Sequence, residues 1–176
     1  SRNAAVRRDK VIYYTRTGGG TARRYVNKEL ELQILSKIRK AMTRRGQNPD
    51  TDLIIFDGTD GNGKTLPVQT QWEIFSSADT AIGPHGSGLA NVIWMDPRCQ
   101  PKEKSVKVIE FLSSERTPKV QTGSAWGHWY LYGSLFWMDV HELYYLENSD
   151  DKPGSPGTFI DLDVFERTLN EIWGLK

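Results

Sequence analysis

The sequence holds one cysteine, Cys99, in 176 residues. No internal disulfide can form, and a cysteine-rich zinc site is excluded. A lone thiol suits a reducing compartment, and equally a secreted chain that manages without bridges. No apolar run is long enough to cross a bilayer, and no apolar signal core follows Ser1-Arg2-Asn3. Initiator Met and Asn-x-Ser/Thr acceptor sites are also missing. No clear pair of carboxylates offers itself for general acid–base work. His128 and His141 lie among aromatic residues and read as core or surface histidines.

What remains is a globular domain of ordinary composition, 38% hydrophobic and 26% charged. Its length suits one domain, residues 1–176. The net charge of +1 hides an asymmetry: residues 1–45 carry 13 Lys and Arg against three Asp and Glu, the remainder 10 against 19. A basic first quarter suggests an anionic partner, nucleic acid or nucleotide phosphate. Proteins that read RNA usually interleave exposed aromatics with their cations, whereas here the aromatics cluster from Trp126 to Tyr145. Lys37, Arg39, Lys40, Arg44 and Arg45 therefore read as a solvated helix face.

Lys10 to Tyr14 is β-branched and aromatic, a strand signature. Leu30, Ile34, Ile38 and Ala41 recur at helical spacing and predict a helix from Asn27 to about Thr43, closed by Gly46-Gln47-Asn48-Pro49. Further strands are expected at 53–56, 80–82 and 106–112, and helices at 68–76, 89–94, 129–138 and 163–173. This alternation predicts an α/β fold, an open, mostly parallel Rossmann-like sheet with helices on both faces. Ligands on such sheets bind outside the carboxyl ends of the strands.

Two glycine-rich turns compete for a phosphate. Gly58 to Thr65 fits G-x-x-x-x-G-K-[ST] letter for letter and opens the reading of a P-loop kinase or NTPase. Such a loop needs a helix that begins near the lysine, yet Pro67 follows and better starts the helix itself. The second turn, Gly83-Pro84-His85-Gly86-Ser87-Gly88, joins a strand to an apolar helix. Gly86 and Gly88 would let backbone N–H groups approach an oxyanion, with His85 and Ser87 as side-chain donors. A tight turn with a structurally bonded His85 explains the same letters.

The segment Ser77 to Met95, "SADTAIGPHGSGLANVIWM", resembles the histidine-glycine-x-glycine-leucine segment of glycosyltransferase family 61. The family's strand ending in arginine is matched by Arg16. Its arginine-x-x-asparagine-glutamate segment is matched by Arg24, Asn27 and Glu29, with Lys28 intervening. Gln71 matches a glutamine before the glycine loop, Glu110 a glutamate ending a later strand, and 126–145 an aromatic segment near the end.

The resemblance implies the C-terminal, donor-binding lobe of a longer enzyme of the two-lobed GT-B type. Such an enzyme is inverting, needs no divalent metal and takes a UDP-sugar (GlcNAc or a pentose) to a hydroxyl of a protein or polysaccharide. It works in the endoplasmic reticulum or Golgi lumen, behind an anchor outside this segment. The donor-binding residues it implies are Arg16, Arg24, Asn27, Gln71, His85, Gly86, Ser87, Gly88, Leu89 and Glu110. A catalytic base is not assigned and is expected from an N-terminal lobe. A basic RNA- or polysaccharide-binding module without catalysis stands as the other alternative.

Overall fold

Five residues, Lys10–Tyr14, form β1, buried from Val11 onward. A computed structural model describes them together with the rest of residues 9–15, and with 28–84, 87–95, 106–113, 138–147 and 158–175. Helix α1, Lys28–Arg44, turns Leu30, Ile34, Ile38, Ala41 and Met42 inward, as the spacing predicts. A short helix, α2 (Pro49–Asp52), follows, capped by the Asn48 side chain. Then come β2 (Leu53–Phe56), α3 (Val68–Ser76) and β3 (Ala78–Pro84). The apolar segment expected as a helix from Leu89 forms a 3₁₀ helix, Ser87–Trp94.

Strand β4 is Val106–Ser113, and β5 is Met138–Glu147. Met138, expected to close a helix, instead opens this strand; the rest of that expected helix, 129–137, lies outside the described residues. A two-residue β6 (Thr158–Phe159) and helix α4 (Leu162–Ile172) complete the elements. The Asp161 carboxylate accepts from the N–H groups of Asp163 and Val164 and caps α4. Among the described residues no helix is long and apolar enough to cross a membrane.

The sheet order is β2-β1-β3-β4-β5-β6. The first five strands pair in parallel and β6 joins antiparallel. From β1 the chain crosses to β2 on one side, and from β2 it crosses back over β1 to β3. Right-handed crossovers in opposite directions must use opposite faces. One core layer accordingly holds Val11, Tyr13 and Ile82 against α1 and α4, and the other holds Ile12, Tyr14, Phe56 and Ala81 against α3 and the 3₁₀ helix.

Of the five cations expected on a solvated face, Arg39, Lys40 and Arg44 are exposed, whereas Lys37 and Arg45 are half-buried. Lys37 pairs with Glu166 on α4 and Arg39 with Asp50 on α2, while Arg45 makes a two-pronged contact with the buried Asp79 of β3. These pairs tie α1 and the residue after it to their neighbours.

Three carboxylates lie below their ordinary range for identifiable reasons. Asp52 is lowered chiefly by the Lys10 ammonium, Asp161 by the backbone N–H groups it caps, and Glu166 by Lys37. A folded value below the unfolded one adds stability above pH ~4, and that stability is lost as pH falls through the folded value. Urea midpoints should therefore hold from pH 7 to 5 and fall between pH 4 and 2. In Asp161→Ala the fall should be shallower. A midpoint flat to pH 3 would contradict the assignment.

Candidate functional site

β1 sits between β2 and β3, and the connections leaving β1 and β3 depart to opposite sides. Sheets of this kind open a crevice at that switch point, at the carboxyl ends of the strands. Here those ends are Tyr14-Thr15 and Gly83-Pro84. Register carries Tyr13 opposite Ile82, which sets Tyr14 beside Gly83.

Close packing explains both described glycines of the second turn. A Cβ on Gly83 would lie 2.6 Å from the Tyr14 carbonyl oxygen, and one on Gly88 would lie 2.5 Å from Cζ of the Tyr14 ring. That ring is buried and backed by Phe56 at 6.3 Å between centroids, and Phe56 meets Phe75 edge-on at 5.0 Å. The strand ends and the start of the 3₁₀ helix are thus locked around one tyrosine. Sequence reasoning assigned Gly88 to ligand approach; what it meets here is an aromatic ring.

Gln71 links three pieces of chain. Its Nε2 donates to the Leu66 carbonyl at 2.8 Å, and its Oε1 accepts from Asn91 Nδ2 at 2.8 Å. Leu66 N–H in turn donates to the Gly58 carbonyl at 2.9 Å. The side-chain amide therefore holds α3, the 3₁₀ helix and the glycine loop after β2 in register. Leu89 is buried in the core layer beneath the 3₁₀ helix. Glu110 is also buried, opposite Gly83 across the β3–β4 pair. It does not end its strand, as expected, since β4 runs three residues further to Ser113.

The remaining expected residues fall elsewhere. Ser87 begins the 3₁₀ helix. Arg16, Arg24, Asn27, His85 and Gly86 lie outside the described residues. Arg16 follows Thr15 directly in the chain, and His85 follows Pro84.

The Walker-like loop has a geometry of its own. Thr59 and Thr65 bridge antiparallel, and Asp60 N–H donates to the Lys64 carbonyl at 2.9 Å. Asp57 accepts from Thr59 N–H, and Asp60 accepts from the N–H groups of Asn62 and Lys64. The amides of Thr59, Asp60, Asn62 and Lys64 are turned onto the loop's own carboxylates and carbonyl. The next helix begins only at Val68, after Pro67. A phosphate loop needs a helix that begins near its lysine, and this one begins four residues later.

Sequence reasoning missed Thr15 and Glu31. The Thr15 hydroxyl donates to Glu31 Oε1 from the end of β1 to the first turns of α1. Tyr13 lies near the same carboxylate, and burial first, then the charge of Glu31, pushes the phenol's pKa far up. Tyr13 therefore stays protonated. Glu29, the residue that the family spacing pointed to, is exposed. The available signal was a polar residue directly after a buried strand, facing a helix whose second carboxylate stands beside its apolar stripe.

The family model described as Glycosyltransferase 61 matches residues 2–100, more than half of the chain. That stretch contains every expected site residue except Glu110 and stops short of the aromatic segment. No curated protein and no solved structure matches.

Proposed function

The chain belongs to glycosyltransferase family 61, and from that premise we propose that it is the donor-binding lobe of an inverting GT-B enzyme using a UDP-sugar. The acceptor is a hydroxyl of a protein or polysaccharide, and the transferred sugar is GlcNAc or a pentose. The acceptor oxygen bonds to the anomeric carbon on the face opposite the diphosphate. The bond from that carbon to the diphosphate oxygen breaks, the diphosphate keeps the electron pair, and the hydroxyl proton goes to a base on a separate N-terminal lobe. Without a metal, the charge growing on the leaving group is met by fixed guanidinium groups and backbone amides. Arg16, Arg24 and the turn His85–Gly88 fill those roles, and a lumen of the secretory pathway is the setting.

The supporting observation is the switch point. In the chain, Arg16 comes two residues after Tyr14, the end of β1, and His85 comes directly after Pro84, the end of the adjacent parallel β3. Neighbouring strands stand ~4.8 Å apart. In the competing loop the Asn62 and Lys64 amides are turned onto Asp60, and Lys37 and Arg45 are paired with acids.

Calorimetry with UDP tests the reading. A charged hydrogen bond contributes about 1.5–3 kcal/mol, so Arg16→Ala should weaken UDP roughly 10- to 100-fold. Gly86→Val should do at least as much by blocking the amides. Lys64→Ala should change nothing. Unaltered affinity in the first two variants, or Mg-dependent ATP binding lost in the third, would overturn the assignment.

A further inference from the structure

The outer side of α3 is apolar where a surface helix is usually polar. Val68 and Trp72, one helical turn apart, are 68% and 47% exposed. Together with Gln69, and with Trp94 of the 3₁₀ helix, they line a cleft of about 370 Å³. Single exposed apolar residues are ordinary, but two indoles and a valine at one opening mark a contact site. The cleft is built before any ligand arrives. Trp94 is half-buried and packs against the core layer that holds Ile12 and Phe75. Gln71 on α3 accepts from Asn91 on the 3₁₀ helix at 2.8 Å, so the two walls are tied together. Gln69 Nε2 donates to Glu73 Oε1 at 3.0 Å, one turn further along α3. The amide carbonyl and the carboxylate of that pair offer acceptors beside the indoles.

The chemistry of the cleft selects its ligand. Neither α3 nor the 3₁₀ helix contains a lysine or arginine, and Glu73 is the only charged residue of the two. A nucleotide, a nucleic acid or an acidic polysaccharide would bring negative charge with no cation to meet it. A stable protein interface takes about 20–30 residues a side, far more than the four that line this cleft. A neutral sugar suits both halves of it. The C–H face of a pyranose ring lies flat on the electron-rich face of an indole, and its hydroxyls donate to amide and carboxylate oxygens. Sites for small ligands have this make-up, aromatic walls with a few polar groups.

We propose that the cleft between Trp72 and Trp94 is a subsite for a neutral saccharide, and that it holds the glycan of the acceptor. The inference rests on the reading above for the enzyme's need of an acceptor, and it favours polysaccharide over protein in that role. It uses none of the residues assigned to the donor.

The test is tryptophan fluorescence and calorimetry of the whole chain with neutral hexasaccharides of glucose, xylose and mannose, at low and high salt. At least one should bind, with a blue shift of the emission and no salt dependence. Trp72→Ala should weaken that binding about tenfold or more, and Trp72→Phe, which keeps a ring face, about threefold. Trp72 is half exposed, so both variants should keep the wild-type melting temperature, and UDP affinity should not change in either. Failure of all three sugars to bind would overturn the subsite, and so would binding that Trp72→Ala leaves intact. Dimerisation abolished by Trp72→Ala, with no sugar bound, would give the cleft to a second copy of the chain instead. A chain that binds a saccharide through Trp72 but does not bind UDP would overturn the donor reading and support the subsite.

Discussion

Gly83→Ala should abolish stable folding, the largest effect of any single methyl group on this chain. The added Cβ would lie 2.6 Å from the carbonyl oxygen and 2.8 Å from the Cβ of Tyr14. Both atoms belong to β1, whose neighbours on either side are paired strands, so relief requires two strands to separate. Overpacking a core commonly costs 1–3 kcal/mol when side chains can yield. Here no side-chain rotation moves the obstructing oxygen, and a loss of more than about 3 kcal/mol is expected, a large part of a typical domain's stability. Gly88→Ala meets the ring of the same tyrosine, and a ring can be removed. Tyr14→Ala should therefore recover part of the Gly88→Ala loss and none of the Gly83→Ala loss. Urea unfolding of the two double variants measures this difference as a coupling energy. Equal rescue of both, or a soluble Gly83→Ala with an unchanged midpoint, would show that the strand ends are not locked around Tyr14.

That prediction turns on a contact the letters did not reveal. A glycine between a strand and a helix reads equally as space for a ligand and as space for a neighbour, and only the register of β1 against β3 names Tyr14 as the neighbour. The elements were legible where one period dominates. The apolar stripe of α1 and the β-branched run of β1 appear where the pattern places them. α2 was hidden because Pro49 was read as closing the previous helix, when proline equally opens a new one behind the Asn48 cap. β5 was hidden because aromatic residues run up to its first residue, and a short apolar run has no period to separate strand from helix.

The site was less legible than the fold. Arg16 and Arg24 came from resemblance to a family and His85 from the glycine turn as well, and in the chain Arg16 follows Thr15 and His85 follows Pro84. Gln71 was recognised as a residue that matters but not for its two-sided grip on Leu66 and Asn91. That grip depends on α3 and the 3₁₀ helix lying side by side, a tertiary fact. Glu31 was passed over because attention went to the motif spacing at Glu29. Which carboxylate reaches the strand is decided by helix phase, and the phase places Glu31 beside Leu30 on the inner side.

Arg45 shows the opposite error, a residue read as solvated that is half-buried against a buried carboxylate. Its guanidinium contacts both oxygens of Asp79, a side chain only 4% exposed, and lies 5.1 Å over the Trp173 ring. Trp173 Nε1 donates to Thr80 Oγ1 at 3.1 Å, and the Thr80 hydroxyl donates to Asp79 Oδ1 at 2.7 Å. The network fastens the ends of α1 and α4 to the first residues of β3, at the edge of the sheet away from the crevice. Arg45→Met leaves the Asp79 charge buried with its main partner gone, and should cost about 3 kcal/mol. Asp79→Ala should cost less, because Arg45 is 23% exposed and can turn to water. The double variant Arg45→Met/Asp79→Leu should recover at least half of the loss, since two apolar side chains leave no stranded charge. UDP affinity, measured below the lowered melting point, should be unchanged in all three. A cost under about 1 kcal/mol for Arg45→Met would put this contact among ordinary surface pairs. A fall in UDP affinity would mean that the amino edge of the sheet and the strand ends around Tyr14 are coupled.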